Sequence, residues 1–95
     1  MPAVARIGDA DVPHCSGHNL ATGSGDVFAN GRGVSRVGDS NTPHLLPGSP
    51  CPGHSTTVSS GSGTVFVNGR PCARVGDPFA ACTSIAQGSP DVFAN

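Results

Sequence analysis

Four histidines and four cysteines are the side chains of this 95-residue chain best suited to chemistry, and their spacing is ordered. Imidazole nitrogen and thiolate sulfur together suit a four-coordinate zinc ion with no redox role. The order comes from a repeat. Arg6-Ile-Gly-Asp9, Arg36-Val-Gly-Asp39 and Arg74-Val-Gly-Asp77 each open a unit, and Gly23 to Asn30, Gly61 to Asn68 and Gly88 to Asn95 each close one on Gly-Ser and then Val-Phe-Ala/Val-Asn. Three copies of one supersecondary unit favour a pseudo-threefold body. Five residues beyond the marker Asp stand His14, His44 and Cys82, so three metal-competent side chains fall at equivalent places and would meet on the pseudo-axis. A tetrahedral site needs a fourth donor. Cys15-Ser-Gly-His18 and Cys51-Pro-Gly-His54 look alike, so His18 or His54 could supply it. The longer loop of unit two, stiffened by Pro47, Pro50 and Pro52, favours His54, with Cys51 as a second choice.

A site closed by four ligands is structural. Zinc hydrolysis would need an open coordination position and a general base beside the metal-bound water. The chain has no Glu and no His-Glu-x-x-His motif, which weighs against a zinc hydrolase. Four Cys in a short chain also raise a small secreted binding module stapled by disulfides. No leader precedes the first repeat, which begins almost at Met1, so the expectation is synthesis in the cytoplasm with thiols reduced.

The elements that must position these donors are short strands. Gly and Pro number 14 and 9 and fall as regular punctuation, while Glu and Lys, two strong helix formers, are absent. In unit two, Thr64 to Val67 is β-rich, Asn68-Gly69 suits a type I′ hairpin turn, and Arg70 to Val75 returns. Pro71 in the return strand argues for an edge or a first paired position. Unit one repeats this with Val27 to Ala29, Asn30-Gly31 and Val34 to Val37; unit three reaches Asn95 without its turn glycine, so its strand must pair elsewhere or remain an edge. The variable segments between Asp and Gly-Ser (Ala10 to Thr22, Ser40 to Ser60, Pro78 to Gln87) hold every His and three of the four Cys. Strands therefore frame the molecule and loops hold its donors. The prediction is a small all-β domain over residues 1–95, with units of about 6–35, 36–73 and 74–95. Its limited apolar content calls for a staple.

Charge points to no polyanion. Five Arg against six Asp, with no basic patch and no interleaved aromatics, argue against nucleic acid. No apolar run approaches a membrane span. Asp9, Asp39 and Asp77 read as turn caps, and Arg6, Arg36 and Arg74 as their partners or as contacts to another protein. Phe28, Phe66 and Phe93, recurring in register, read as core. Cys72, among small residues, reads as a buried small hydrophobe.

Pro71-Cys72-Ala73-Arg74-Val75-Gly76-Asp77 resembles the Pro-Ala-Ala-Arg motif of the PAAR-repeat family, with Cys in the second place. Pro2 to Asp9 is a looser copy, Gly33-Val34-Ser35-Arg36 keeps only the Arg, and the Gly-Ser-x-x-Val-Phe-x-Asn-Gly segment is similar too. The resemblance implies a sharp β-rich cone, stand-alone and non-enzymatic. Such a cone caps the blunt end of a trimeric β-helical spike, a valine-glycine repeat protein or its phage counterpart, in type VI secretion systems and contractile phage tails. It also implies a structural zinc near the apex, held by three His and one Cys; carried over by position, these are His14, His44, His54 and Cys82. Implied contacts are the spike, effector proteins and, transiently, the target membrane. The implied location is the tip of the machine, delivered outside the cell or in the virion.

Overall fold

The computed structural model describes residues 2–12, 18–42, 44–45, 53–80 and 83–95. Among these the fold is all-β, with no helix. Six two-residue strands pair antiparallel: β1 (Phe28–Ala29) with β2 (Arg32–Gly33), β3 (His44–Leu45) with β4 (Gly53–His54), and β5 (Phe66–Val67) with β6 (Arg70–Pro71). The Asn-Gly turns form as the sequence predicts. Asn30 and Gly31 have φ of 55° and 77°, and Asn68 and Gly69 have 54° and 79°, the left-handed pair that a type I′ turn requires. Pro71 sits in the return strand, where its carbonyl accepts from Val37 N–H.

The third Val-Phe segment also finds a return strand. Phe93 bridges Ala3, Val4 N–H donates to Val92 O, and Ala94 N–H donates to Pro2 O. Residues 2–4 thus stand where β2 and β6 stand in the other two hairpins.

The Arg-x-Gly-Asp openings are tight turns. The Asp N–H returns to the Arg carbonyl at Asp9, Asp39 and Asp77, and Gly8, Gly38 and Gly76 have φ of 91°, 95° and 93°. A positive φ at the third turn position favours Gly, which accounts for the marker's composition.

Backbone bonds between units run head to tail and return on themselves. Ser35 N–H donates to Ala5 O, Ala73 N–H to Ser35 O, and Ala5 N–H to Ala73 O, at 2.9–3.0 Å. A second circuit joins Ile7 to Gly33, Val37 to Pro71 and Val75 to Ala3. Ala5, Ser35 and Ala73 are completely buried, and three backbones meeting this closely leave room only for small side chains. Gly61 has the same cause: a Cβ there would lie 2.5 Å from the Cys72 carbonyl oxygen.

The core forms two clusters. One holds Val4, Val34, Cys72, Ala29, Val67 and Ala94; the other holds Ala5, Ala73, Leu20, Val58, Ile85 and Phe79. Phe28, Phe66 and Phe93 are not part of either. They are 58%, 56% and 47% exposed, which corrects their reading as core. The alternation of each hairpin explains this: Ala29, Val67 and Ala94, one residue on, take the inward position, and the narrow interior accepts Ala or Val there. Cys72 is a buried free thiol, as its neighbours suggested, and burial raises its pKa. The molecule measures 39 × 23 × 22 Å, elongated with a near-equal cross-section.

Candidate metal centre and docking face

Each Arg-x-Gly-Asp turn folds its own ion pair. Arg6, Arg36 and Arg74 donate both the backbone N–H and the guanidinium Nε–H to Oδ2 of Asp9, Asp39 and Asp77, at 2.8–2.9 Å. Nη2 of the same Arg reaches Oδ1, so each fork grips its carboxylate with two nitrogens. Those pairings raise the pKa of all three Arg further above its ordinary value, the hydrogen bond to the Asp being the largest cause. The Asp residues do cap their turns, and the Arg residues pair with them. Asp9 and Asp39 also receive Nη2 of Arg32 and Arg70, at 2.6 and 3.3 Å.

Burial pushes the Asp39 carboxyl up, but the Arg36 side chain and backbone N–H, the Thr22 hydroxyl and the Arg36 charge together hold it below the ordinary range. A carboxyl whose folded pKa is depressed adds stability above its unfolded pKa, and that stability is lost as pH falls through the folded value. The urea midpoints of wild type and Asp39→Asn should therefore differ clearly at pH 6 to 7. The gap should close below about pH 4, where unfolded carboxyls protonate.

Serines organise the segments that precede the hairpins. Ser24 Oγ accepts from Asp26 and Val27 N–H, Ser62 Oγ from Thr64 and Val65 N–H, and Ser89 Oγ from Asp91 and Val92 N–H. These hydroxyl-capped turns explain the recurring Gly-Ser, which the sequence reading used only as a marker. Hairpin tips then join different units. Asn30 Nδ2 donates to Asp91 and Asn68 Nδ2 to Asp26, both at 2.8 Å, while Ser62 Oγ donates to the Asn95 carbonyl. Arg6 and Arg36 hold the other end of the two amides through Oδ1 of Asn30 and Asn68. This circuit ties together the three segments that carry the Val-Phe pairs (Val27-Phe28, Val65-Phe66, Val92-Phe93), and all six of these side chains are exposed.

Of the predicted metal ligands, His44 and His54 lie among the described residues. His14 and Cys82 fall outside the described residues, as do Cys15 and Cys51. His44 and His54 are register partners in the β3–β4 pair, with Leu45 opposite Gly53. A loop that the sequence reading held together only by proline stiffness thus brings its two histidines face to face along the backbone. His18 is 3% exposed, and its Nδ1 lies 2.7 Å from Asp11 Oδ2. The same oxygen accepts from Asn41 Nδ2 at 3.2 Å, and Asn41 Oδ1 in turn accepts from Thr56 N–H at 2.9 Å.

Hydrogen-bond register also realigns His18. Leu20, Val58 and Ile85 each donate N–H to the marker Asp carbonyl of their own unit (Asp9, Asp39, Asp77), so they are equivalent. Two residues earlier stand His18, Thr56 and Thr83. His18 therefore does not share a structural position with His54, despite the similar Cys-x-Gly-His spelling. Asp11, which the sequence reading did not single out, aligns with Asn41 and Phe79. Its only signal was a carboxylate two residues past a marker Asp.

A family model described as the PAAR motif matches residues 48–95, half of the chain. Unit one lies outside that match yet repeats the same turn, ion pair and hairpin. No curated protein matches the chain.

Proposed function

The chain belongs to the PAAR-motif family, a structural family associated with the spike tips of type VI secretion systems and phage tails, and from that premise we propose that it is a non-enzymatic tip. In this reading residues 1–95 form one pseudo-threefold cone of three units. Its broad end seats on the blunt end of a trimeric β-helical spike, and its narrow end leads membrane puncture. Effector proteins and, transiently, the target membrane are its other contacts, and it travels with the machine out of the cell or in the virion.

The observation that carries the docking half is the set of three exposed Val-Phe pairs, one from each unit, on segments joined by the hairpin-tip hydrogen bonds. Side chains repeated in this way let a single chain meet a trimer's end with one contact for each subunit. Apolar surface gathered in one place marks an interface. Short strands there can also continue the partner's β-structure.

The narrow end is the place for zinc. His14, His44, His54 and Cys82 offer three imidazoles and a thiolate, a donor set that zinc favours. The direct register of His44 on His54 supports two of those four. The metal would supply a crosslink between units, with no chemistry on a substrate. Arg forks on Asp brace the turns behind it.

Replacing Phe28, Phe66 and Phe93 together by Asp tests the docking reading. Burial of a Phe is worth about 1.5–3 kcal/mol, and 1.4 kcal/mol is tenfold in affinity. The variant should bind a soluble trimeric spike β-helix at least about 100-fold more weakly while keeping its circular dichroism. Wild type should bind as one chain per trimer. A folded triple variant with undiminished binding removes the Val-Phe ring from the interface.

A further inference from the structure

The three Arg-x-Gly-Asp turns differ in what covers them. The carbonyls of Gly33, Pro71 and Ala3 accept from Ile7, Val37 and Val75, so these three residues are equivalent. The residues just before them are Arg32, Arg70 and Pro2. In units one and two this residue folds back over the turn. Arg32 Nη2 donates to Asp9 Oδ1, and Arg70 Nη2 donates to Asp39 Oδ1. The same guanidinium groups lie above the turn glycines: a Cβ on Gly8 would stand 3.4 Å from Arg32 Nη1, and one on Gly38 would stand 3.2 Å from Arg70 Nη1. In unit three the covering residue is a proline, which has no cation to offer. Among the described residues, nothing lies within 4 Å of a Cβ built on Gly76, and Asp77 Oδ1 accepts only from Arg74 Nη2. Side-chain exposure rises in step, from 0% at Asp9 and 5% at Asp39 to 9% at Asp77.

We propose that this uncovered turn is a binding site for a guanidinium group, supplied by an arginine of a partner protein. The ligand is the one that the chain itself places on the two sibling turns, where the equivalent carboxylate oxygen receives it. A carboxylate oxygen can accept twice; Arg74 uses one place on Asp77 Oδ1, and the second is left for the incoming donor. The planar, weakly hydrated guanidinium suits such a site better than an ammonium does. The slot occurs once per chain. A threefold partner presenting three arginines would set two of them against Arg32 and Arg70, and like charges so placed are costly. The occupant is therefore a protein bound in one copy. An exposed ion pair adds little affinity alone, so this contact belongs to a larger interface and selects which of the three similar faces the partner meets. The inference stands apart from the zinc and docking readings above.

The probe is L-argininamide, which carries the guanidinium without a competing carboxylate, titrated into the full chain labelled with nitrogen-15. In NMR spectra the Gly76 and Asp77 N–H signals should move saturably with one site per chain, while those of Gly8, Asp9, Gly38 and Asp39 stay still. Neutral citrullinamide should bind about two- to fivefold more weakly, the range that an exposed ion pair supplies. Pro2→Arg, which gives unit three its siblings' residue, should abolish the response and leave the rest of the spectrum in place. Asp77→Asn should weaken it too. Equal movement at all three turns, no movement at Gly76, equal binding of citrullinamide, or an undiminished response in Pro2→Arg overturns the proposal. Tighter binding of spermidine at the same amides overturns it as well, because the slot would then be a polyamine site.

Discussion

Asp9→Ala should cost roughly 3–5 kcal/mol of folding stability, the penalty for stranding a buried charge by removing its partner. The Asp9 carboxylate is completely buried and collects four donors: the Arg6 backbone N–H, Arg6 Nε and Nη2, and Arg32 Nη2. Without it, the Arg6 guanidinium keeps only Asn30 Oδ1 and the Gly88 carbonyl, and the turn loses its cap. For a domain whose whole stability is about 5–15 kcal/mol, that is a large share. Asp77→Ala is the internal control. Asp77 collects three donors, all from Arg74, in a more accessible setting, so its loss should cost visibly less. Urea unfolding at pH 7 measures both through the midpoint at a constant slope. Equal losses would mean that burial and the Arg32 contact add nothing.

In the zinc-bound tip proposed above, stripping the metal should have an effect of comparable or greater size. Structural zinc in small modules is worth roughly 10–16 kcal/mol of apparent binding free energy. The expectation is one zinc per chain, a steep drop in thermal midpoint on chelation, and recovery when zinc is returned. Protection from hydrogen exchange should fall most in the His44–His54 pair and least in the Ala5–Ser35–Ala73 circuit, which closes by backbone bonds alone. An unchanged midpoint after verified removal would deny the metal a structural role.

Local chemistry was legible wherever one residue type answers one backbone demand. Asn30-Gly31 and Asn68-Gly69 announced their turns because few other pairs accept positive φ twice in succession. The Arg-x-Gly-Asp openings announced a capped turn for the same kind of reason, and Cys72 its burial. The strands were harder. The pattern suggested returns as long as Arg70 to Val75, but the chain bends out of each hairpin after two residues to join the next unit, so pairing there becomes isolated bridges between units. Phe28, Phe66 and Phe93 were misread because hydrophobicity signals burial without saying against what. The inward side of the same two-residue strand carries Ala29, Val67 and Ala94, and only the tightness of the interior, a property of all three units together, assigns the larger side chain to the outside. His18 shows the opposite failure. Its similarity to His54 lay in the neighbouring letters, whereas its structural equivalents, Thr56 and Thr83, emerge only when carbonyls and N–H groups are counted from the marker Asp.

The head-to-tail circuits impose an order on biosynthesis. Ala5 N–H finds its acceptor at Ala73, and Val4 finds its partner at Val92, so a nascent chain that has left the ribosome only as far as the second unit carries open β-edges with nothing to pair. Such edges invite association with other chains, and pairings this distant in sequence are slow to form. Translation speed through residues 73–94, and the supply of holdase chaperones while they emerge, therefore bear on yield more directly than any single side chain in the core.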